Sequence, residues 1–359
     1  MVVGNNLPHS KTTVGLHLLS FVTELKQWHP LVRGEYTFEC KICKKELEKL
    51  LFPFYTTYPA KLWSKFRWWK KSSLKTKLKS LDKNQKWLTI VDRLGAPGDA
   101  LITSIVIREI KQHYPRIKIN CITPHPELIR LDPHIDSINA KESFYSFDSS
   151  YWEFIVRKEC EINVVEHSLR KLNIYKYEYK SNFYLSQDEY FWAQNKITQL
   201  GFTKPIIAFC SKSKEIVKNW PENYWEELIE KLSKSFCISH LGDQREPNFS
   251  FVERFAGLCS MRESAALLSK VHLFVGPDSL LMHIANGFNI PSVIIFGGSR
   301  PINSLGYRDN INLGSSPTCS PCWIHQGYES CKEDLKCMHE ISVNKVFSSI
   351  NMLMKKSHE

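Results

Sequence analysis

No apolar run in this 359-residue chain approaches the ~18–20 residues that a bilayer-spanning helix needs. The start, MVVGNNLPHSKTTVGLHLLSFV, has no basic stretch leading into an unbroken apolar core. No signal peptide is read there, and a cytoplasmic location is the expectation. There is no G-x-G-x-x-G fingerprint with an acidic residue after a second strand, which disfavours NAD, and no Gly-Lys-Ser/Thr, which excludes a P-loop. No short-period repeat occurs, and no recognised nucleic-acid module accompanies the chain's positive charge. Eleven cysteines without a secretory leader argue against a disulfide framework and for thiols or a metal site.

What is present is an ordinary globular composition, 43% hydrophobic and 24% charged, with length enough for two domains. The net charge of +11 is concentrated in one place. Residues 61–86 carry ten Lys/Arg and one acidic residue, so the rest of the chain sums to only +2. Leu62, Phe66 and Trp69 share one helical face there, as do Leu74, Leu78 and Leu81. A basic amphipathic segment edged with Trp over 61–81 reads as a membrane-surface or anionic-partner helix, or as a solvated lysine-rich linker. Upstream, Cys40-x-x-Cys43 is a half-site at most.

From Trp87 onward strands and helices alternate, which predicts doubly wound parallel sheets. WLTIVDR, IKINCIT, IDSINA and YWEFIVR read as the strands of a first unit. PIIAFCSKS opens a second one, with FCISHLGDQRE and VHLFVG as further strands. The division expected is an extension over 1–86, a Rossmann-like domain over 87–195, a second over 196–340, and a terminal helix over 341–359.

The stretch 271–300, VHLFVGPDSLLMHIANGFNIPSVIIFGGSR, reads as strand, loop, helix, strand and glycine turn. Its Pro277–Ser279 loop falls at the carboxyl end of a parallel strand, where such sheets bind ligands. The N–H groups opening the following helix suit a phosphate. Asp278 and His283 are set to face that ligand, or else Asp278 and Ser279 only cap the helix. A second anion-friendly turn, Gly95-Ala-Pro-Gly98-Asp99, joins strand to helix in the first unit. Asp99 there is a general base at a cleft mouth or a helix cap. Lys218, in SKSKEIVKNWP, is placed to offset a diphosphate or is simply solvated. Cys319-x2-Cys322-x8-Cys331-x5-Cys337 could close a structural tetrahedral Zn or Fe site, the alternative being reduced thiols in a loop.

In combination these motifs resemble the heptosyltransferase family, glycosyltransferase family 9, over about residues 87–340. They run from WLTIVDRLGAPGDALITSIVIREIKQHYPRIKI through KNWPENYWEELIEKL and HLGDQRE to VHLFVGPDSLLMHIANGFNIPSVIIFG and the CSPC tail. The resemblance implies a GT-B fold, two Rossmann-like domains facing a cleft. It also implies inverting transfer of a heptose from an ADP-sugar donor to a hydroxyl of a lipopolysaccharide or other cell-surface glycan, with no catalytic cofactor. It makes Asp99 the base and Lys218 the donor-phosphate contact. Asp278 becomes the sugar-binding carboxylate, with Ser279, Leu280, His283 and Gly98 beside it. Leu280 stands where family members carry glycine, and Pro97 before Gly98 is unusual. The N-terminal extension and cysteine loop are reminiscent of the branch that heptosylates autotransporter proteins, so a protein Ser/Thr acceptor is the second reading. A non-catalytic GT-B scaffold is the third. The partners expected are the donor, a glycolipid or protein acceptor, and an inner-membrane surface touched peripherally through 61–81; nucleic acid is not expected.

Overall fold

The computed structural model describes residues 74–324 and 331–356. All of them fall within the unit Ser72–Glu359. The Cys40–Cys43 pair and residues 61–73 lie outside the described residues.

The chain first forms α1 (Leu74–Lys83), β1 (Trp87–Val91), α2 (Pro97–His113), β2 (Lys118–Ile122) and α3 (Pro126–Ile129). Next come β3 (Ser137–Ile138), β4 (Ser146–Asp148), α4 (Trp152–Val156) and α5 (Val164–Lys171). The strands pair in the order β3-β2-β1-β4, all in parallel. After α6 (Gln187–Gln199) a second sheet is built from β5 (Ile206–Phe209), β6 (Cys237–His240), β7 (Glu253–Arg254), β8 (Leu273–Pro277), β9 (Ser292–Ile295) and β10 (Ile311–Leu313). Its order is β10-β9-β8-β5-β6-β7, again parallel throughout. Counted from its own first strand this is the 3-2-1-4-5-6 order of a Rossmann fold. The helices between its strands are α7 (Glu222–Ser233), α8 (Met261–Leu268) and α9 (Leu280–Gly287), and α10 (Lys336–His339) and α11 (Val343–Lys356) follow. Two doubly wound parallel sheets in one chain are the GT-B architecture expected from the sequence. Among the described residues no helix is long and apolar enough to cross a membrane.

Near-continuous apolar strands such as IIAF and SVII are what a sheet covered on both faces requires. Around the second sheet Phe209, Ile295, Trp225, Leu228, Val346 and Ile350 form one core, so α11 is part of it. The Trp220 indole N–H donates to the Ile341 carbonyl at 2.9 Å and fastens the entry to α7 onto the chain just before α11.

Two expectations change. YWEFIVR forms α4, and the strand at that edge is Ser146–Asp148 instead. Tyr151 and Phe154, three residues apart, are both buried, whereas Val156 is exposed, which is a helical period and not an alternation. Glu153 and Arg157 pair one turn apart at 2.5 Å. The second change concerns the basic segment. Leu78 and Leu81 on α1 are buried, and the Asp82 carboxylate accepts the Arg116 N–H at 2.7 Å just before β2. Burying such a leucine is worth about 1.5–3 kcal/mol. This face of α1 is therefore core and is closed to a membrane.

Two arginines hold the connection between the sheets. Arg108 of α2 donates to the carbonyls of Glu178 and Lys180 and to Asn182 Oδ1 at 2.6–2.7 Å. Arg262 of α8 donates to the carbonyls of Glu127 and Tyr184 and to both oxygens of Glu189. The second clamp spans first sheet, connection and second sheet, and it fixes how the two carboxyl edges meet.

Candidate active site

In open parallel sheets the crevice forms where strand order reverses. In the first sheet that point lies between β1 and β4. The turn after β1 carries Asp99, and the chain after β4 carries Tyr151. In the second sheet it lies between β5 and β8. The chain after β5 carries Glu215 and Lys218, and the loop after β8 carries Asp278. Arg300 follows the neighbouring strand β9. These five segments converge.

Lys218, in a short 3-10 turn, places Nζ 2.9 Å from Asp278 Oδ2 and 3.5 Å from Glu215 Oε2, and both Lys218 and Asp278 are buried. The turn sits this close because Gly297, just after β9, presses on it. A Cβ at Gly297 would come within 2.5 Å of the Val217 carbonyl oxygen. Burial works to raise the Asp278 carboxyl, but Lys218, Arg300 and His283 outweigh it and hold it below the ordinary carboxylate value. An ionised buried aspartate is thus kept beside a buried ammonium.

Asp99 lies at the start of α2. Its Oδ2 accepts the Ala96 N–H at 3.1 Å, the back-bond of a capping box, and its Oδ1 accepts the Tyr151 hydroxyl at 2.5 Å. Burial pushes the Asp99 carboxyl up, against the pull of Tyr151, Ala96, Arg300 and Lys218. Arg300 hydrogen-bonds Tyr151 and reaches Glu215 Oε1 at 3.7 Å. Asp92, at the end of β1, anchors the same turn. It accepts the Gly95 N–H at 3.2 Å and the Thr123 hydroxyl at 2.8 Å, and burial together with the Asp99 charge lifts it to about 7.

His283 is buried in α9 with Nδ1 2.7 Å from the Tyr307 hydroxyl. Tyr179 stacks behind Tyr307 with ring centroids 4.8 Å apart. The other side of the imidazole faces Gly98, where a Cβ would stand 3.2 Å from the ring, so glycine allows the first unit to approach. Burial lowers His283 to about 4, and it is neutral near pH 7.

Of the residues expected from sequence, Asp99, Gly98, Lys218, Asp278 and His283 are brought together. Ser279 holds the cap position of α9 but makes no capping bond, because its hydroxyl faces the Cys210 thiol at 3.8 Å. Leu280, half-buried, opens α9. The four cysteines occupy one region. Cys337 packs on Gly298, Cys322 N–H donates to the Gly298 carbonyl at 3.1 Å, and Leu335 N–H donates to Cys331 Sγ at 3.4 Å. Among the described residues, however, no three metal-ligating side chains are grouped so as to share an ion. The four thiols lie within electrostatic reach of one another, without the tight grouping that the spacing led one to expect.

Tyr151, Arg300, Glu215 and Asp92 were not singled out from sequence. Glu215 had a signal, three residues before Lys218. Arg300 and Tyr151 had one only through strand order.

This geometry accords with what the chain matches. Residues 144–332, more than half of the chain, match the profile of Glycosyltransferase family 9 (heptosyltransferase). The chain belongs to glycosyltransferase family 9. It is 29% identical over 148 residues to lipopolysaccharide heptosyltransferase 1 of Pseudomonas aeruginosa, a stretch covering 37% of this chain and 40% of the relative. The match thus spans less than half the length of that relative. The E. coli ADP-heptose LPS heptosyltransferase II structure superposes with a TM-score of 0.59 at 15% identity, over 76% of this chain and all of the other. The iron-containing dodecameric glycosyltransferase TibC of enterotoxigenic E. coli gives 0.61 at 17% identity, over 75% of this chain and 76% of the other; it has also been solved with ADP-D-β-D-heptose. At such identities the superpositions establish the shared fold.

The buried imidazole makes a pH prediction. Unfolded His283 takes a proton at about 6.5, whereas the folded protein resists until about 4. As pH falls through that window the unfolded chain binds more protons, so stability drops by about 1.4 kcal/mol per pH unit from this group. Asp92, raised to about 7, contributes with the opposite sign. In urea denaturation at several pH values, the stability difference between His283→Gln and wild type should move in the variant's favour by roughly 3 kcal/mol between pH 7 and 4. A pH-independent difference would contradict a buried neutral histidine.

Proposed function

We propose that this chain is an inverting glycosyltransferase that moves a heptose, or a related sugar, from an ADP-sugar to a hydroxyl of a lipopolysaccharide or similar cell-surface glycan. Family membership supports the reaction class. The observation that carries the residue roles is the cluster itself, in which one unit supplies Asp99 and the other the Lys218–Asp278 pair, with Arg300 within electrostatic reach of both aspartates. In this reading Asp99 takes the acceptor hydroxyl's proton as that oxygen attacks the anomeric carbon. The ADP leaves from the opposite face, its charge met by Lys218 and the N–H groups opening α9. Asp278, kept ionised, accepts from the donor's sugar hydroxyls.

The relatives' names suggest the donor and acceptor: a heptosyltransferase of lipopolysaccharide, and a fold relative solved with ADP-D-β-D-heptose. Cytoplasmic action belongs to the same proposal. Peripheral membrane contact through 61–81 enters it without Leu78 and Leu81, which are buried.

Isothermal titration of ADP, ADP-heptose and UDP-sugars tests the reading. ADP-linked ligands should bind wild type and lose at least tenfold in affinity with Lys218→Ala. Asp99→Asn should still bind but release ADP 10²–10⁴-fold more slowly when glycan or protein acceptors are supplied. A well-folded wild type that binds no nucleotide would overturn it and leave a scaffold.

A structural Zn or Fe held by Cys319, Cys322, Cys331 and Cys337 is a further part of the proposal. It is supported by four thiols within electrostatic reach of one another and by N–H···S bonds at Cys331, Cys337 and Cys322. Elemental analysis of full-length protein should find about one equivalent of metal, lost in Cys319→Ser/Cys322→Ser. Metal-free wild type with unchanged melting in chelator would reject it.

A further inference from the structure

A base that takes an acceptor's proton must start ionised, and burial works against that at Asp99. The strongest restraint on it is the Tyr151 hydroxyl, which donates to Asp99 Oδ1 at 2.5 Å. Both side chains are buried. A phenol donating to a carboxylate at that length makes a charge-assisted bond, roughly twice as strong as a neutral one. Asp99 Oδ2 is taken by the Ala96 N–H at 3.1 Å. The two bonds thus fix both oxygens and still leave lone pairs for an acceptor hydroxyl.

Tyr151 is itself held from the other sheet. Arg300, after β9, hydrogen-bonds the phenol. A guanidinium only donates, so the phenol oxygen accepts from Arg300 and its own hydrogen goes to Asp99. Burial and the Asp99 charge both keep that hydrogen on the phenol. The start of α4 is set from the second unit as well. Phe154 meets the Trp323 ring edge-on, with centroids 6.2 Å apart, and the Asn303 side-chain amide donates to the Cys160 carbonyl at 2.7 Å. The other charged groups facing Asp99 are Arg300 and Lys218, which lower it, and Asp92 at the end of β1, which Asp99 in turn raises. Asp278 faces the phenol, and the His283 ring against Gly98 is neutral near pH 7.

We propose that Tyr151, held in place by Arg300 of the second unit, is the positioning residue that fixes the Asp99 carboxylate for its role as base. This rests on the glycosyl-transfer reading above, in which Asp99 is that base. The consequence is a coupling across the cleft. Asp99 has its full set of restraints only while Arg300 and Tyr151 stand together, and it takes up a proton more readily once the second sheet draws away.

The test follows the Asp99 carboxyl band in infrared difference spectra of full-length protein taken across a pH series, the band being assigned by its loss in Asp99→Asn. In Tyr151→Phe, which keeps the ring and removes the donor, this carboxyl should titrate about one pH unit higher than in wild type. An ortho-fluorinated tyrosine incorporated at the same position is a stronger donor of nearly the same shape, and it should move the titration the other way. Misfolding does not produce that opposite sign. Arg300→Met should also raise the titration, and by less in the Tyr151→Phe background. Equal effects in both backgrounds would mean that Arg300 acts by charge alone, and would overturn the coupling. No carboxyl band lost in Asp99→Asn, or a titration unchanged or lower in Tyr151→Phe, would overturn the positioning role. Calorimetric titration of ADP-heptose separates this from the function. Carboxyl shifts as described, with no ADP-heptose binding, would keep the hold of Tyr151 on Asp99 and remove the transfer reading. ADP-heptose binding by a protein whose Asp99 ignores Tyr151 would do the reverse.

Discussion

The buried ion pair between Lys218 and Asp278, 2.9 Å long, constrains the rest of the site. Two charges taken out of water are expensive, and removing one partner of such a pair typically costs 3–5 kcal/mol because the other is left uncompensated. The fold tolerates the pair because it sits where β5 and β8 diverge, at the carboxyl edge of the second sheet. Helix α9 begins there, and additional charge from Glu215 and Arg300 is within reach. A hydrophobic plug would have suited stability as well. A charged crevice suits an anionic ligand.

The first sheet repeats the arrangement with different chemistry. At its own reversal point the Asp92 and Asp99 carboxylates are both raised by burial, and Tyr151 and backbone N–H groups restrain them. One half of the cleft therefore holds an aspartate kept ionised by cations, and the other an aspartate whose carboxyl burial pushes up. Arg300 and Tyr151 connect the two, so the protonation behaviour of Asp99 depends on where the second unit lies. The clamps at Arg108 and Arg262 govern that position.

Much of this was legible before any coordinates. The alternation of apolar strands with capped helices predicted two doubly wound sheets, and turn chemistry located Gly98, Asp99 and Asp278 at strand ends. What was not legible depended on adjacency that periodicity does not carry. Tyr151 lay in a stretch whose Trp152, Phe154 and Val156 alternate like a strand, and only burial of Tyr151 with Phe154 shows a helical face. Arg300 looked like the residue after a glycine turn until the order β9-β8-β5 set it beside Lys218. Leu78 and Leu81 have the same spacing whether they face a bilayer or a core, and the Asp82–Arg116 bond decides it. Cysteine spacing spoke to ligand chemistry, but the local backbone bonds of these thiols could not be foreseen from it.

The central claim is that four separate loops form one donor site, and hydrogen–deuterium exchange with and without saturating ADP-heptose addresses it most directly. The account predicts slowed exchange in residues 95–99, 215–219, 278–283 and 297–304 together, from both sheets at once. Protection confined to one sheet, or appearing only away from these four loops, would contradict it.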